Sequence, residues 1–113
     1  MVKVKALVAL FDANDLWGEA PLYEELVRRL ERLGVAGATV VAGVMGFGVH
    51  RRIHQKGLFG VVDDKPVMVV AIDHEETLRA ALPVIRPMIR EGVVILLDAE
   101  VVPPGEASGS GEP

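Results

Sequence analysis

The sequence of 113 residues contains no cysteine, and its serines, Ser108 and Ser110, both lie near the end of the chain. The lack of cysteine excludes disulfide frameworks, thiolate zinc sites and cysteine nucleophiles. The serine-containing segment is rich in glycine and proline and has nothing to bury, so it is predicted to be disordered. A serine nucleophile held in a fixed site is therefore not expected.

The sequence also lacks long hydrophobic runs and an excess of basic residues. The longest apolar stretch, residues 35–49, is too short and too rich in glycine to cross a bilayer. The first residues alternate like a strand and lack the small-residue cleavage site of a signal peptide. The net charge of −4 does not supply the basic footprint of general nucleic-acid binding. We therefore expect a cytoplasmic protein with no membrane insertion and no nucleic-acid partner.

Apolar residues make up 50% of the chain, which is at the top of the range for a globular domain. Their periodicity predicts strands at residues 2–11, 38–45, 66–72 and 93–97 and a first helix at about residues 21–33, closed by Gly34. A second helix is predicted to be capped by Asp73, loosened by its two prolines and ended by Gly92. Residues 1–102 are predicted to form one domain, and residues 103–113 a disordered tail.

The predicted order of elements is β-α-β-β-α-β. This order is typical of the α+β ferredoxin-like fold, a four-stranded antiparallel sheet with both helices on one face. An antiparallel sheet covered on one face normally has alternating strands with polar residues on the open face. Three of the predicted strands are apolar at both parities instead, so we expect the second face to be buried against other subunits of an obligate oligomer.

The segment after the second strand combines glycines with a run of basic residues. Gly46 and Gly48 allow close approach of the backbone to a ligand, and Arg51, Arg52 and Lys56 follow with no acid among them. Backbone amides and guanidinium groups in this arrangement suit an anionic ligand. The same pattern is also typical of a solvated hairpin loop, and residue patterns alone leave both interpretations open.

Other candidate chemistry is sparse. His50 and His54 are four residues apart, a spacing that favours metal binding on a helix, and an oligomer would supply several copies. The acid pairs, such as Asp12 and Asp15, have no evident partner that would make one of them a general acid. Trp17 is typical of packing against the protein body, although a ligand-stacking role is also compatible with its place in a loop. We therefore expect a protein without enzymatic activity.

Several segments together resemble a known family. Residues 17–24, 34–40, 43–48, 52–54 and 82–83 resemble the short PII-like proteins catalogued as domain of unknown function 190, over nearly all of residues 3–102. The run from Gly46 to Gly48 with the basic residues after it is similar, more distantly, to the start of the T-loop of PII signalling proteins. This resemblance implies a ferredoxin-like fold, a homotrimer with its sheets facing the centre, and a protruding loop at residues 49–65.

The resemblance also implies where a ligand would bind. PII proteins hold an adenine nucleotide between neighbouring subunits near the base of this loop. PII proteins also have a second phosphate-binding loop before the last strand. At that place this chain has residues 90–93, with Arg90 as the single candidate cation. The candidate ligand-binding residues are therefore Gly46, Phe47, Gly48, Arg51, Arg52, His54, Lys56 and Arg90. The loop at residues 49–65 contains no Tyr, Ser or Thr, so uridylylation or phosphorylation has no acceptor there.

The sequence thus favours a non-enzymatic regulatory protein with no required cofactor and an adenine nucleotide as candidate ligand. Its loop at residues 49–65 would contact a regulated partner, for example a transporter. The alternative is a metal-ion-responsive ferredoxin-like trimer that uses His50 and His54.

Overall fold

The computed structural model describes residues 1–48 and 65–105. These residues form six strands and two helices: β1 (Val2–Asp12), β2 (Leu16–Trp17), β3 (Ala20–Pro21), α1 (Leu22–Arg32), β4 (Ala38–Ala42), β5 (Pro66–Asp73), α2 (Glu75–Ile85) and β6 (Val93–Val101). A 3-10 turn, Arg86–Met88, follows α2 directly. In the described part of the chain no helix is both long and apolar enough to cross a membrane.

The main sheet has the strand order β4-β5-β1-β6, and every neighbouring pair is antiparallel. With both helices on one face, this is the predicted α+β ferredoxin-like fold, which the structure confirms. The ends of β1 and β4 meet the starts of β5 and β6 at one end of the sheet, which we call the loop end. The segment between β4 and β5 leaves the sheet there.

The core lies between the helices and the sheet. Leu22, Leu26 and Leu30 form the buried stripe of α1, at the spacing that places them on one side of a helix. Every second residue of the two central strands faces them, because successive side chains of a strand point to opposite faces. The buried sheet residues are Leu7, Ala9, Phe11, Val67, Val69 and Ala71.

The opposite face of the sheet is also apolar. Val8 and Val70 pair across the two central strands on this face, and Leu10 pairs with Met68. Ile95 on β6 remains 40% exposed. Both helices lie on the other side, so these side chains face away from the core of their own subunit. A single chain therefore buries only the helix face of the sheet. Burial of the second face by other subunits stays a prediction.

The ends of the helices confirm one predicted signal and correct two others. Gly34 has φ +86 and donates its N–H to the Glu31 carbonyl at 3.0 Å, which ends α1 as predicted. Asp73 does not cap α2: as the last residue of β5 it lies outside the cap position, which His74 occupies. Gly92 does not end α2 either. The helix stops at Ile85, and the missing N–H of Pro87 is accommodated in the 3-10 turn that follows.

Asp73 fastens two connections instead. Its carboxylate accepts the N–H of His74 at 2.6 Å and the N–H of Ala36 at 2.9 Å. These backbone hydrogen bonds, the one from His74 first, stabilise the charged form and hold the pKa of Asp73 below its ordinary value. The carboxylate thus links the α1–β4 connection to the β5–α2 connection at the end of the sheet opposite the loop end.

Asp73→Asn is expected to reduce stability in a pH-dependent way. Because the pKa of Asp73 is depressed in the folded state, its contribution is full above the unfolded-state pKa of about 3.9 and is lost as the pH falls through the lower folded value. The difference in the free energy of unfolding between wild type and Asp73→Asn should therefore shrink below about pH 4. Urea titrations at several pH values measure this difference, and Glu76→Gln controls for the loss of one carboxylate. A difference that stays constant down to the lowest pH would contradict this role.

Candidate functional site

The segment that follows β4 packs tightly on Pro66, the first residue of β5. Gly43 donates its N–H to the Pro66 carbonyl at 2.8 Å. A Cβ atom on Gly43 would lie 2.8 Å from Pro66 Cγ, and one on Gly46 would lie 3.2 Å from the same atom. We call residues 43–48 together with residues 65–66 the loop root. Glycine at positions 43 and 46 therefore serves close packing against Pro66.

Gly48 differs from these two glycines. Its φ is +99, a conformation that side chains disfavour, and a Cβ atom there would meet nothing within 4 Å. The backbone at Gly48 is therefore turned sharply, and no residue of the described ranges covers it. Of the glycine pair singled out from the sequence, Gly48 keeps an arrangement suited to ligand approach, whereas Gly46 faces its own subunit.

Asp12 anchors the other side of the loop root. Its side chain is almost completely buried, and its carboxylate accepts the N–H of Asn14 at 2.7 Å and the N–H of Lys65 at 3.4 Å. The adjacent Ala13 donates its N–H to the Lys65 carbonyl at 2.7 Å. The end of β1 is thereby fastened to the residue at which the segment between β4 and β5 returns to the sheet. In the sequence Asp12 is one of several acids in a polar stretch, and nothing local marks its burial.

The apolar side chains of the loop root are unusually exposed. Val44, Met45 and Phe47 are all more than four-fifths exposed. Three nearly uncovered apolar side chains so close together in sequence are typical of a surface that contacts another molecule. Phe47, a predicted ligand-binding residue, is thus free in the isolated subunit to contact a ligand.

Arg90 lies at the loop end but at the other edge of the sheet. It lines a cleft of about 360 Å³ together with Leu16, Met88 and the acidic residues Asp15 and Glu91, and no ion pair of Arg90 is formed with the described residues. The loop root continues β4 at one edge, and Arg90 precedes β6 at the opposite edge. Three strand spacings separate these edges, about 14 Å. One subunit therefore does not bring the loop root and Arg90 together.

Two groups of charge pairs among the described residues lie away from this end. Glu25 accepts hydrogen bonds from Arg29 and Arg32 on the outer surface of α1, and these contacts lower the pKa of Glu25. Lys5 pairs with Asp98 between β1 and β6, and this hydrogen bond lowers the pKa of Asp98. These pairs stabilise elements of the subunit and do not involve Arg90.

The other predicted site residues have different outcomes. Arg51, Arg52, His54, Lys56 and the candidate metal ligand His50 lie outside the described residues, so their placement stays a prediction. Trp17 is half-buried and packs against the edge of the core, as its packing interpretation predicts. Among residues 1–48 and 65–105 there is no group of three or more His, Asp or Glu side chains that could hold a metal ion.

Solved structures similar to this fold include PII-like proteins. CPII from Thiomonas intermedia K12, solved with ADP, AMP and acetate, is 26% identical with a TM-score of 0.66, and the match covers 91% of this chain and 92% of that chain. A second CPII structure, described as a nitrogen regulatory PII-like protein bound to ADP, AMP and bicarbonate, is 26% identical with a TM-score of 0.62 and covers 88% of each chain. The fold is thus of the PII-like class over nearly the whole chain.

The sequence defines the family within this class. The model of the DUF190 family, described as "Uncharacterized ACR", matches residues 4–101, so the chain belongs to the DUF190 family. The UPF0166 protein MJ1524 of Methanocaldococcus jannaschii is 30% identical over 102 residues, covering 89% of this chain and 94% of that protein. A UPF0166 protein of Aquifex aeolicus is 33% identical over 99 residues, covering 87% and 93%. The resemblance seen in the sequence is therefore confirmed.

Proposed function

We propose that this PII-like protein is a non-enzymatic regulator that binds an adenine nucleotide between the subunits of a homotrimer. The segment at residues 49–65 would then contact a regulated partner protein. The ADP and AMP in the CPII structures support an adenine nucleotide as the ligand class.

The placement of Arg90 relative to the loop root carries this proposal. The open backbone of Gly48 and the guanidinium group of Arg90 lie at the same end of the sheet but at opposite edges. A ligand that contacts both at close range would lie where the β4 edge of one copy meets the β6 edge of another. An anionic nucleotide suits such a site, because amides at Gly48 and a guanidinium group are both donors to phosphate oxygens.

The apolar open face of the sheet supports the trimer. Val8, Leu10, Met68 and Val70 lie at its centre, and a contiguous apolar surface of this kind is unfavourable in water. Three sheets that face a common centre would bury this surface. The loop ends of all three copies would then lie at one end of the assembly, with each loop root facing the edge of a neighbouring subunit.

In this arrangement the candidate residues have separate roles. Gly48 presents the backbone, and Phe47 offers an aromatic surface next to it. Arg51, Arg52, His54 and Lys56 follow Gly48 and would supply positive charge to the phosphates. Arg90 of the neighbouring copy would close the site from the other side.

Charge reversal at Arg90 tests the nucleotide site. Isothermal titration calorimetry with ATP, ADP, AMP and cyclic nucleotides should show saturable binding to the wild type. Arg90→Glu should weaken binding of the tightest ligand about tenfold or more, since a charge-assisted hydrogen bond is replaced by repulsion. The double variant Arg51→Glu/Arg52→Glu should weaken binding in the same direction.

Arg28→Glu is the matched control, because Arg28 is an exposed residue of α1 that is paired with Glu24 and belongs to neither the loop root nor the cleft at Arg90. It should bind as the wild type does. All variants should sediment with the wild-type mass, so that loss of binding is separated from loss of assembly. The absence of heat with every nucleotide at millimolar concentration would overturn the nucleotide site.

A further inference from the structure

The cleft at Arg90 carries more negative than positive charge. Arg90 is the single cation among the described residues that line it, whereas Asp15 and Glu91 supply two carboxylates. The other lining residues are apolar. Sites that hold several phosphates offer forked cations and sets of backbone amides to the added oxygens. The charge of this cleft is suited instead to a ligand with few negative charges.

Asp15 is held in the cleft by hydrogen bonds on both sides of its main chain. Its N–H donates to the Asp12 carbonyl at 3.0 Å, and its own carbonyl accepts the N–H of Leu22 at 2.8 Å. The Asp15 carboxylate also accepts the N–H of Asp12 at 3.3 Å. Asp12 is itself almost completely buried. The carboxylate of Asp15 therefore cannot move away from the cleft without breaking these contacts.

Glu91 is attached to a backbone that is equally well fixed. The next residue, Gly92, packs directly on β1, since a Cβ atom there would overlap the Leu10 carbonyl oxygen and lie 3.2 Å from Phe11 Cβ. Glu91 is half-buried and follows Arg90 in the chain. A ligand that contacts Arg90 therefore meets a negative charge on each of two anchored segments.

A phosphate bound by Arg90 lies beside both carboxylates, because all three side chains line one cleft. A compact space of about 360 Å³ is narrower than the Debye length, which is about 10 Å at 0.1 M salt. Salt therefore screens the repulsion only in part. Between unit charges about 7 Å apart near a protein surface, such repulsion changes a binding constant roughly fivefold or more.

We propose that Asp15 and Glu91 are specificity-determining residues of the nucleotide site and that they select AMP and ADP over ATP. This inference rests on the function proposed above and names the nucleotides that the site prefers. Every further phosphate adds negative charge to the ligand, but the lining of the cleft offers it no cation beyond Arg90 among the described residues. The unfavourable effect of the two carboxylates therefore increases with the number of phosphates.

Isothermal titration calorimetry with AMP, ADP and ATP in magnesium-free buffer tests this selection. We expect the wild type to bind AMP or ADP about tenfold or more tightly than ATP. Asp15→Asn and Glu91→Gln should each raise the affinity for ATP about fivefold, and the affinity for AMP about twofold or less. Both substitutions remove a charge and keep the size of the side chain. A cleft that rejected ATP by its length alone would not respond to them.

The dependence on salt separates charge from a change of structure. The gain in ATP affinity in the two variants should shrink at 0.5 M salt, because the repulsion that they remove is then screened in the wild type as well. Glu19→Gln is the matched control, since Glu19 is an exposed acid of the β2–β3 turn that does not line the cleft. It should leave the ratio of ATP to AMP affinity unchanged. Circular dichroism checks the fold, and Glu91→Gln alone decides if Asp15→Asn is unfolded.

Two results would overturn the selection while leaving the nucleotide site intact. One is a wild type that binds ATP at least as tightly as AMP and ADP. The other is an unchanged ratio of ATP to AMP affinity in the folded variants. A wild type that binds none of the three nucleotides would instead overturn the proposed function, and this inference with it.

Discussion

Val70→Asp is expected to convert the proposed trimer to a folded monomer. Val70 lies at the centre of the open sheet face, paired with Val8 on one side and Thr39 on the other. In the proposed trimer a carboxylate there would be buried without a partner, which costs about 3–5 kcal/mol. Three copies near one axis would also repel each other. We expect the dissociation constant of the trimer to rise about a thousandfold or more.

Sedimentation velocity at micromolar concentration measures this effect, and circular dichroism checks that the subunit stays folded. Folding should survive because Val70 faces away from the helix-side core. Ala80→Asp introduces the same charge at an exposed position of α2 and should leave the trimer intact. A trimeric Val70→Asp protein would show that this face is not the subunit interface.

Gly92→Ala is expected to destabilise the subunit itself. A Cβ atom at Gly92 would lie 2.9 Å from Ile89 Cγ2 and 3.2 Å from Phe11 Cβ, and it would overlap the Leu10 carbonyl oxygen. The carbonyl belongs to β1 and cannot move without disturbing the centre of the sheet. Overpacking of this kind costs about 1–3 kcal/mol and occasionally more. Because the nearest atom is backbone, we expect a cost of about 3 kcal/mol, at the upper end of this range.

Urea unfolding at a fixed subunit concentration measures the loss for Gly92→Ala. Gly37→Ala is the matched control, since a Cβ atom on Gly37 would meet nothing within 4 Å and its φ is not positive. It should be neutral or stabilising by a few tenths of a kcal/mol. Equal effects of the two substitutions would contradict the close approach at Gly92.

The fold could be predicted because its signals are local and repeated. The leucine stripe of α1 and the apolar strands recur at the spacing of their elements, and Gly34 marks the end of α1 through its own backbone conformation.

The β2–β3 hairpin was missed because it pairs only Leu16 with Pro21 and Trp17 with Ala20. Two residues in each strand are too few for an alternating pattern. β4 is shorter than predicted because the chain bends onto Pro66 after Gly43, a contact between distant parts of the sequence.

The candidate site could be predicted in its parts but not in its arrangement. The glycines near residue 46 and the isolated Arg90 are visible in the sequence. Their placement at opposite edges of one sheet follows from the strand order, which the predicted fold supplies and the residue motifs themselves do not. The packing role of Gly46 depends on Pro66, and the anchoring role of Asp12 depends on Lys65. Both contacts join residues that are separated by a long stretch of chain.

A crystal structure of the protein with ADP tests the central claim most directly. We predict a ring of three subunits, with the nucleotide between Gly48 of one copy and Arg90 of the next. Nucleotide density within a single subunit, for instance in the cleft between Leu16 and Met88, would contradict the shared site. A lattice that contains only isolated subunits without nucleotide would contradict both the assembly and its ligand.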